Sequence, residues 1–319
     1  MITLETITLG QSSIAVPPLC VGTWAWGDKL FWSYGSDYNE QQLKEAFQAA
    51  LEAGTTFFDT AEIYGLGLSE ELLGQFMKQS DRPAIIATKF GPLPWRFTAQ
   101  SVSDALTDSL KRLQVEQVAL YQVHWPFSFL MSQETLMNAL ADEIQRGRIG
   151  AVGVSNYSAQ HMQEAHQIID RRGVPLAVNQ VRYSLLTRQI ESSGITDTAK
   201  QLGVTLLAYS PLAQGRLTGK YRPDSSEKPT GARSFDPQFS KAGLEKIEPV
   251  VALLRQIGEK RDRTPAQVAL NWLISQGNVV AISGAKTAQQ VQQNAGSLGW
   301  KLTDDEIAEL EQISRPWLH

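Results

Sequence analysis

Residues 57–65 read Phe-Phe-Asp-Thr-Ala-Glu-Ile-Tyr-Gly, an apolar run that ends abruptly in a carboxylate and a phenol. Phenylalanine and threonine favour strands, so this run predicts a strand that delivers Asp59 and Tyr64 into the loop after it. Two more strand-like runs end in the same way, one at Lys89 and one at His124. In a closed parallel barrel the carboxyl ends of the strands lie on one face, where active sites are found. We therefore expect these four side chains to meet at the mouth of a barrel.

Strand-like and helix-like segments alternate along almost the whole chain. This alternation is typical of βα units with right-handed crossovers and a parallel sheet. The pattern predicts an α/β fold, a (β/α)8 TIM barrel, as a single domain over residues 1–319. Within this domain a short β-hairpin over residues 4–9 and 13–16 precedes the first barrel strand. The predicted barrel strands are 19–23, 55–58, 84–88, 118–123, 149–154, 176–180, 204–209 and 279–282.

Composition limits the classes of protein that the chain can belong to. It has 319 residues, of which 42% are hydrophobic and 19% are charged, and these values suit one barrel with insertions. The net charge of −4 argues against nucleic acid or an anionic membrane as a partner. The single cysteine, Cys20, has apolar neighbours and fits a reducing compartment. The first residues lack the pattern of a secretory signal, and no apolar window approaches the roughly 18 residues that cross a bilayer, so we expect a cytoplasmic protein.

Two segments have neither helical nor strand periodicity. Residues 24–38 combine several aromatic rings with glycines, which predicts a loop at the rim of the site with at least one ring against the substrate. Residues 215–240 are rich in Gly, Pro, Ser and charge, which predicts a long loop on the same face. Residues 65–70 lack the third glycine of a dinucleotide loop and predict a flexible turn. His161 and His166 stand five apart, so they do not match a zinc motif, and we predict no metal site.

Seven short motifs, in this order along the chain, resemble those of the aldo-keto reductase superfamily. They are residues 57–65, 88–89, 124, 153–156, 179–180, 209–212 and 284–286. The resemblance covers nearly the whole chain. It implies a TIM barrel whose floor is capped by the hairpin, a nicotinamide dinucleotide as cofactor, and reduction of a small carbonyl compound.

The chemistry of the four converging residues agrees with that resemblance. A phenol has a reference pKa of about 10, and a nearby ammonium stabilises its anion. We therefore interpret Tyr64 as the proton donor, Lys89 as the ammonium that lowers its pKa, and Asp59 as the carboxylate that holds the lysine. His124 would hydrogen-bond the same substrate oxygen. The simpler alternative is that Asp59 and Lys89 form only a structural ion pair.

The resemblance also implies where the dinucleotide binds. Ser155, Asn156 and Gln180 would hold the carboxamide, and Tyr209 would stack on the nicotinamide ring. The pyrophosphate loop would follow the seventh strand. The cofactor-binding residues implied in this way are Gly22, Thr23, Trp24, Asp59, Ser155, Asn156, Gln180, Tyr209, Ser210, Leu212, Gln214, Gly215, Lys220, Gly284, Lys286, Gln290 and Asn294.

Lys286 lies just beyond the eighth strand, where the resemblance implies that the adenosine end of the cofactor binds. A lysine there can neutralise a 2′-phosphate, so we predict a preference for NADP(H). Two departures from the family pattern weaken this prediction. Ser283 replaces the usual proline, and Gln290 stands where many members carry arginine.

The predicted substrate pocket is mainly aromatic: Trp24, Trp32, Tyr64, Trp95, His124 and Trp125. The motifs look closest to the branch that contains plant pyridoxal reductases, so we predict NADPH-dependent reduction of aldehydes, aromatic ones first, by a monomer. Two alternatives stay open. One is a nucleotide-binding regulatory subunit that resembles the β-subunits of potassium channels. The other is an aldolase that uses Lys89 as a Schiff-base amine.

Overall fold

Eight parallel strands close into a barrel in the computed structural model of the chain, which describes residues 5–126, 131–225 and 227–319. Each barrel strand pairs with the next along the chain, and the last returns to the first through Ala281 and Leu19. The predicted (β/α)8 fold is confirmed, and no end of a predicted barrel strand is displaced by more than two residues. The strands are β3 (Leu19–Gly22), β4 (Phe57–Asp59), β5 (Ile85–Phe90), β6 (Val118–Val123), β7 (Ile149–Ser155), β8 (Leu176–Arg182), β9 (Thr205–Tyr209) and β10 (Val279–Gly284).

A short antiparallel hairpin, β1 (Ile7–Thr8) and β2 (Ala15–Val16), lies at the amino-terminal end of the barrel. Leu9 and Val16 are fully buried and pack with the apolar side chains inside the barrel floor. The Gly10 N–H donates to Oγ1 of Thr205, 2.9 Å away. Gly10 has a φ of +56°, and a Cβ there would lie 2.6 Å from the Ala177 carbonyl oxygen, so this close approach needs glycine. Leu4, where the hairpin is predicted to begin, lies outside the described residues.

Helices surround the barrel and bury their apolar faces against it. Most begin at a side chain that accepts a hydrogen bond from the first turn, such as Asn39, Thr98 and Thr264. The four-residue α6 is too short to leave a periodic signal in the sequence and is not predicted. The helices are α1 (Glu40–Glu52), α2 (Leu68–Lys78), α3 (Ala99–Leu113), α4 (Gln133–Gln145), α5 (Ala159–Asp170), α6 (Gln189–Ser192), α7 (Ile195–Leu202), α8 (Lys241–Glu259), α9 (Pro265–Ile274), α10 (Ala288–Ala295) and α11 (Asp304–Ile313).

The loops at the carboxyl ends of the strands differ in how well the sequence predicts them. Residues 24–38 form a loop between β3 and α1 without a helix or a β-strand, as predicted. In the segment 215–240, the described residues form no long helix or strand, but they include the end of the 3-10 turn Ala213–Thr218 and the 3-10 turns Gly231–Phe235 and Pro237–Phe239. The predicted flexible turn at 65–70 is instead a 3-10 turn, Tyr64–Gly67, that leads directly into α2. Within the described residues, the helices lack the combined length and apolarity that crossing a membrane requires.

Candidate active site

The four converging side chains meet at the carboxyl ends of β4, β5 and β6. Lys89 is fully buried, and its ammonium donates to Asp59 Oδ2 at 2.5 Å, to the Thr60 carbonyl at 2.8 Å and to Tyr64 Oη at 3.2 Å. His124 follows β6, and its ring centroid lies 5.6 Å from that of Tyr64. The strand register places Asp59 opposite Ala87, two residues before Lys89 on the same face of the pleat. The barrel thus brings together all four predicted catalytic residues.

Burial decides the protonation states of these groups. Burial raises the pKa of Tyr64, and Lys89 opposes this rise without cancelling it. Lys89 thus lowers the pKa of the phenol, as the sequence predicts, but desolvation of the phenolate is the larger effect, so the net pKa of Tyr64 is raised. Burial lowers the pKa of Lys89, but Asp59 and then Tyr64 outweigh it, so the net pKa is raised. Burial and then Lys89 lower the pKa of His124 to about 2. At neutral pH the site holds a phenol, an ammonium and a neutral imidazole.

Two glutamine amides surround the other oxygen of the Asp59 carboxylate. Gln122 Nε2 donates to Oδ1 at 3.1 Å, and Gln180 Nε2 donates to the same atom at 2.8 Å. Gln180 Nε2 also lies 3.3 Å from Gln122 Oε1. The sequence prediction included Gln180 but missed Gln122, a polar residue inside the otherwise apolar strand β6. Its side chain faces the barrel interior, where only a polar partner makes an amide tolerable.

The predicted carboxamide residues form one hydrogen-bonded unit. Ser155 Oγ donates to the Gln180 carbonyl at 2.9 Å, and Asn156 Nδ2 donates to the His124 carbonyl at 3.1 Å. Tyr209 Oη donates to Asn156 Oδ1 at 3.0 Å. Asn156 has a φ of +62°, a conformation that is uncommon for a residue other than glycine. The strand ends of β6 to β9 are therefore connected to each other beside the catalytic group.

The loop after β9 has a backbone suited to an anion. Ser210, Ala213, Gln214 and Gly215 all have positive φ, at 52°, 47°, 59° and 99°. Turns of this kind direct backbone N–H groups to one side and form concave anion sites. The predicted pyrophosphate loop, including Leu212, lies in this turn.

A cavity of about 940 Å³ extends across the barrel mouth from the catalytic group to β10. This volume is near the upper end of the range for ligand sites. The predicted residues that line it are Gly22, Trp24, Trp32, Asp59, Tyr64, His124, Trp125, Ser155, Asn156, Gln180, Tyr209, Ser210, Leu212, Gln214, Gly215, Lys220, Gly284, Lys286, Gln290 and Asn294.

Three predicted residues do not line the cavity, and one of them is Lys89, which is fully buried beneath Asp59 and Tyr64. The Thr23 side chain is fully buried, and its hydroxyl is hydrogen-bonded to Ser69 Oγ at 2.8 Å, so it packs between β3 and α2. Trp95 is 66% exposed and lies outside the cavity wall, and its neighbour Arg96 forms an ion pair with Glu62. The structure also places Asp28 and Arg233 in the wall, and neither is predicted from the sequence.

The sequence profile of the aldo/keto reductase family matches residues 18–315. The chain belongs to the aldo/keto reductase family. The resemblance stated from its motifs is confirmed, and this aldo/keto reductase is an NAD(P)-dependent oxidoreductase.

Relatives and solved structures agree with this assignment. The chloroplastic pyridoxal reductase of Arabidopsis thaliana is 42% identical over 314 residues, which are 95% of this chain and 84% of the relative. A glycerol dehydrogenase from Gluconobacter oxydans superposes with a TM-score of 0.85 at 31% identity, over 99% of this chain and 97% of that chain. An aldo/keto reductase from Klebsiella pneumoniae, solved with NADP and acetate, gives a TM-score of 0.76 at 28% identity, over 98% and 96%. A nicotinamide cofactor is thus the family's shared feature.

Proposed function

We propose that this protein is an NADPH-dependent reductase of aldehydes with Tyr64 as the proton donor. One observation carries the proposal: the Lys89 ammonium joins the Asp59 carboxylate to the Tyr64 phenol at the floor of a cavity large enough for a cofactor and a substrate. This arrangement places a proton donor beside a fixed positive charge, as protonation of a developing alkoxide requires.

The residues around the cavity fit a nicotinamide dinucleotide. The Tyr209 ring provides a flat surface, and both hydrogens of the Gln180 amide point to Asp59 and Gln122, which leaves its oxygen as an acceptor toward the cavity. The positive-φ turn from Ser210 to Gly215 offers backbone donors for phosphates. When bound, the dinucleotide supplies the hydride that reduces the carbonyl carbon.

The protein's own groups move and stabilise the proton. Tyr64 Oη donates its proton to the carbonyl oxygen of the substrate, which leaves an alcohol and a phenolate. The Lys89 ammonium stabilises this phenolate across 3.2 Å, and Asp59 keeps the ammonium in place. The neutral His124 imidazole is a second hydrogen-bonding group for the same oxygen. The phenolate then regains a proton from solvent.

The wall beside Tyr64 supports an aromatic aldehyde as substrate. Trp24 makes an edge contact with Trp32 at a centroid distance of 5.4 Å and lies 6.5 Å from the Tyr64 ring. Trp125 packs beside His124 at 4.7 Å. A flat apolar substrate buries its faces well against such rings. Because the Arabidopsis relative is named for pyridoxal, a pyridoxal-like aldehyde is our first candidate.

The geometry disfavours an aldolase that uses Lys89 as a Schiff-base amine. All three ammonium hydrogens have oxygen acceptors, the side chain is fully buried, and the pKa of Lys89 is raised. A protonated amine has no lone pair with which to attack a carbonyl carbon.

Consumption of NADPH, followed by its absorbance with a panel of aldehydes, tests the proposal. We expect turnover with pyridoxal and benzaldehyde at a kcat/KM at least tenfold above that for a short aliphatic aldehyde. Trp24→Ala should reduce this preference, while Leu30→Ala, a substitution of an exposed residue in the same loop, should not. Binding of NADPH without turnover of any aldehyde would instead favour a regulatory subunit.

A cytoplasmic location and a monomeric state stay predictions of this proposal. Fully buried Cys20 supports a reducing compartment. Cell fractionation and light scattering of the purified protein test the two predictions.

A further inference from the structure

Lys286 and Arg233, two of the cations that line the cavity, belong to its wall near β10. Among the described residues, neither Lys286 nor Arg233 has a carboxylate oxygen within 4.0 Å, whereas Lys220, in the same wall, pairs with Glu227 at 3.3 Å. Burial and then Arg233 lower the pKa of Lys286, so the two charges are close enough to repel each other, and the Asp37 carboxylate, which is not within 4.0 Å, opposes this lowering without cancelling it. Unneutralised cations that face one cavity indicate an anionic ligand.

Aromatic rings fix both cations in position. The Arg233 guanidinium lies 4.8 Å from the Trp32 ring centroid, and the Lys286 ammonium lies 5.7 Å from the same ring and 4.3 Å from that of Tyr38. Cation–π contacts of this kind keep a charge in place without neutralising it. The charges therefore stay directed at the cavity when no anion is bound.

The guanidinium keeps hydrogen-bond donors for a ligand. Arg233 Nη1 donates to the Gln214 carbonyl at 3.3 Å, and its Nε is buried without a partner among the described residues. A buried donor without an acceptor costs free energy, which an oxyanion would recover. A guanidinium binds the oxygens of a phosphate through two parallel hydrogen bonds.

Gln290 stands where many members of the family carry arginine, but its side chain is neutral and adds no positive charge to this site. Its side-chain oxygen accepts from the Lys286 backbone N–H at 2.8 Å, so the neutral amide shapes the turn that presents the lysine. Arg233, from the loop between β9 and α8, is a cation in the same cavity wall as Gln290.

We propose that Arg233 and Lys286 together bind a phosphate monoester, the 2′-phosphate of the adenosine half of NADPH, and that Arg233 sets the preference for NADPH over NADH. A phosphate monoester carries about −1.5 to −2 charges at pH 7, which two cations match. The inference rests on the proposed use of a nicotinamide cofactor and adds a residue that determines which one is used.

Calorimetry with adenosine 2′,5′-bisphosphate and 5′-AMP tests the proposal without any carbonyl substrate. The two ligands differ only in the 2′-phosphate. We expect the unchanged protein to bind the bisphosphate at least tenfold more tightly, and Arg233→Met to reduce this ratio about tenfold while 5′-AMP affinity changes less than twofold. Arg222→Met is the matched control, since it removes a cation from the same segment whose side chain does not line the cavity.

Two further variants keep the test decisive. Gln290→Arg added to Arg233→Met should restore the ratio in part, because it returns a cation to the same end of the cavity. If Arg233→Met fails to fold, Arg233→Lys keeps the charge but loses the two-pronged hydrogen bonding, and the ratio should fall at least threefold. Equal weakening of both ligands, or an unchanged ratio in both Arg233 variants, would overturn the proposal. If the unchanged protein shows the expected ratio of affinities for the two ligands but turns over no aldehyde, the result counts against the proposed function and not against the role of Arg233.

Discussion

Gln122 donates its side-chain amide to Oδ1 of Asp59 across 3.1 Å, deep inside the barrel and below the residues that face the cavity. Gln180 donates to the same oxygen, and Lys89 occupies the other one. With both oxygens held, the Asp59 carboxylate cannot rotate away from the ammonium. The direction of Lys89 toward Tyr64 is therefore fixed by residues that do not touch a substrate.

Gln122→Leu should weaken this support without opening a large cavity, since the two side chains have similar volumes. A hydrogen bond to a charged group contributes about 1.5–3 kcal/mol, so we expect the free energy of unfolding to fall by that amount and kcat to fall about tenfold. Urea unfolding and steady-state kinetics measure both. An NADPH Kd within about threefold of the original value would show that the cofactor site is intact, whereas unchanged stability and kcat would refute the supporting role.

Tyr64→Phe should abolish carbonyl reduction while NADPH binding stays nearly unchanged. The substitution removes only the hydroxyl that Lys89 contacts at 3.2 Å, and the ring keeps its edge contact with His124. We expect kcat to fall by at least 100-fold, in line with the loss of a general acid. Fluorescence titration with NADPH provides the binding control. Full retained turnover would exclude Tyr64 as the proton donor.

Lys89→Met should destabilise the protein as well as inactivate it. The substitution leaves the Asp59 carboxylate buried without its cation, and breaking a buried pair from one side costs about 3–5 kcal/mol. Asp59→Asn in the same protein removes that uncompensated charge, so the double variant should be more stable than Lys89→Met alone. Urea unfolding of the four proteins in this cycle measures the coupling. Additive changes would show that the pair has no net interaction.

The strand ends were predictable because each carries its own signal. A β-rich run that stops at Asp59, Lys89 or His124 needs no long-range information, and closure of eight parallel strands then brings the three residues together. Gln122 was missed because its partner Asp59 is 63 residues away in the sequence, and no local pattern encodes that contact.

The irregular loops explain the other differences between prediction and structure. Arg233 reaches the cavity only because the segment after β9 returns across the barrel mouth, and periodicity does not describe such a path. Thr23 was assigned to the cofactor site together with Gly22, yet alternate residues of an extended chain face opposite sides, so its hydroxyl contacts Ser69 instead. Trp95 was assigned to the pocket as an aromatic residue of a motif that resembles the family, but its side chain is exposed outside the cavity.

The imidazole of His124 predicts how stability depends on pH. Its pKa is about 2 in the folded protein and about 6.5 in the unfolded chain, so below pH 6.5 the unfolded chain binds a proton that the folded protein does not. The free energy of unfolding should therefore decrease as pH falls from 6.5 toward 2. Between pH 7 and 4.5 this group alone accounts for up to about 2.7 kcal/mol, because each pKa unit corresponds to about 1.36 kcal/mol. His124→Gln, which keeps a polar side chain but does not titrate, should lose less stability over the same interval. Urea unfolding of both proteins at several pH values measures the difference, and parallel pH profiles would show that His124 is not held neutral by the fold.

The same depressed pKa of His124 predicts that kcat for carbonyl reduction shows no step near pH 6.5, since the imidazole stays neutral throughout the range from pH 5 to 8.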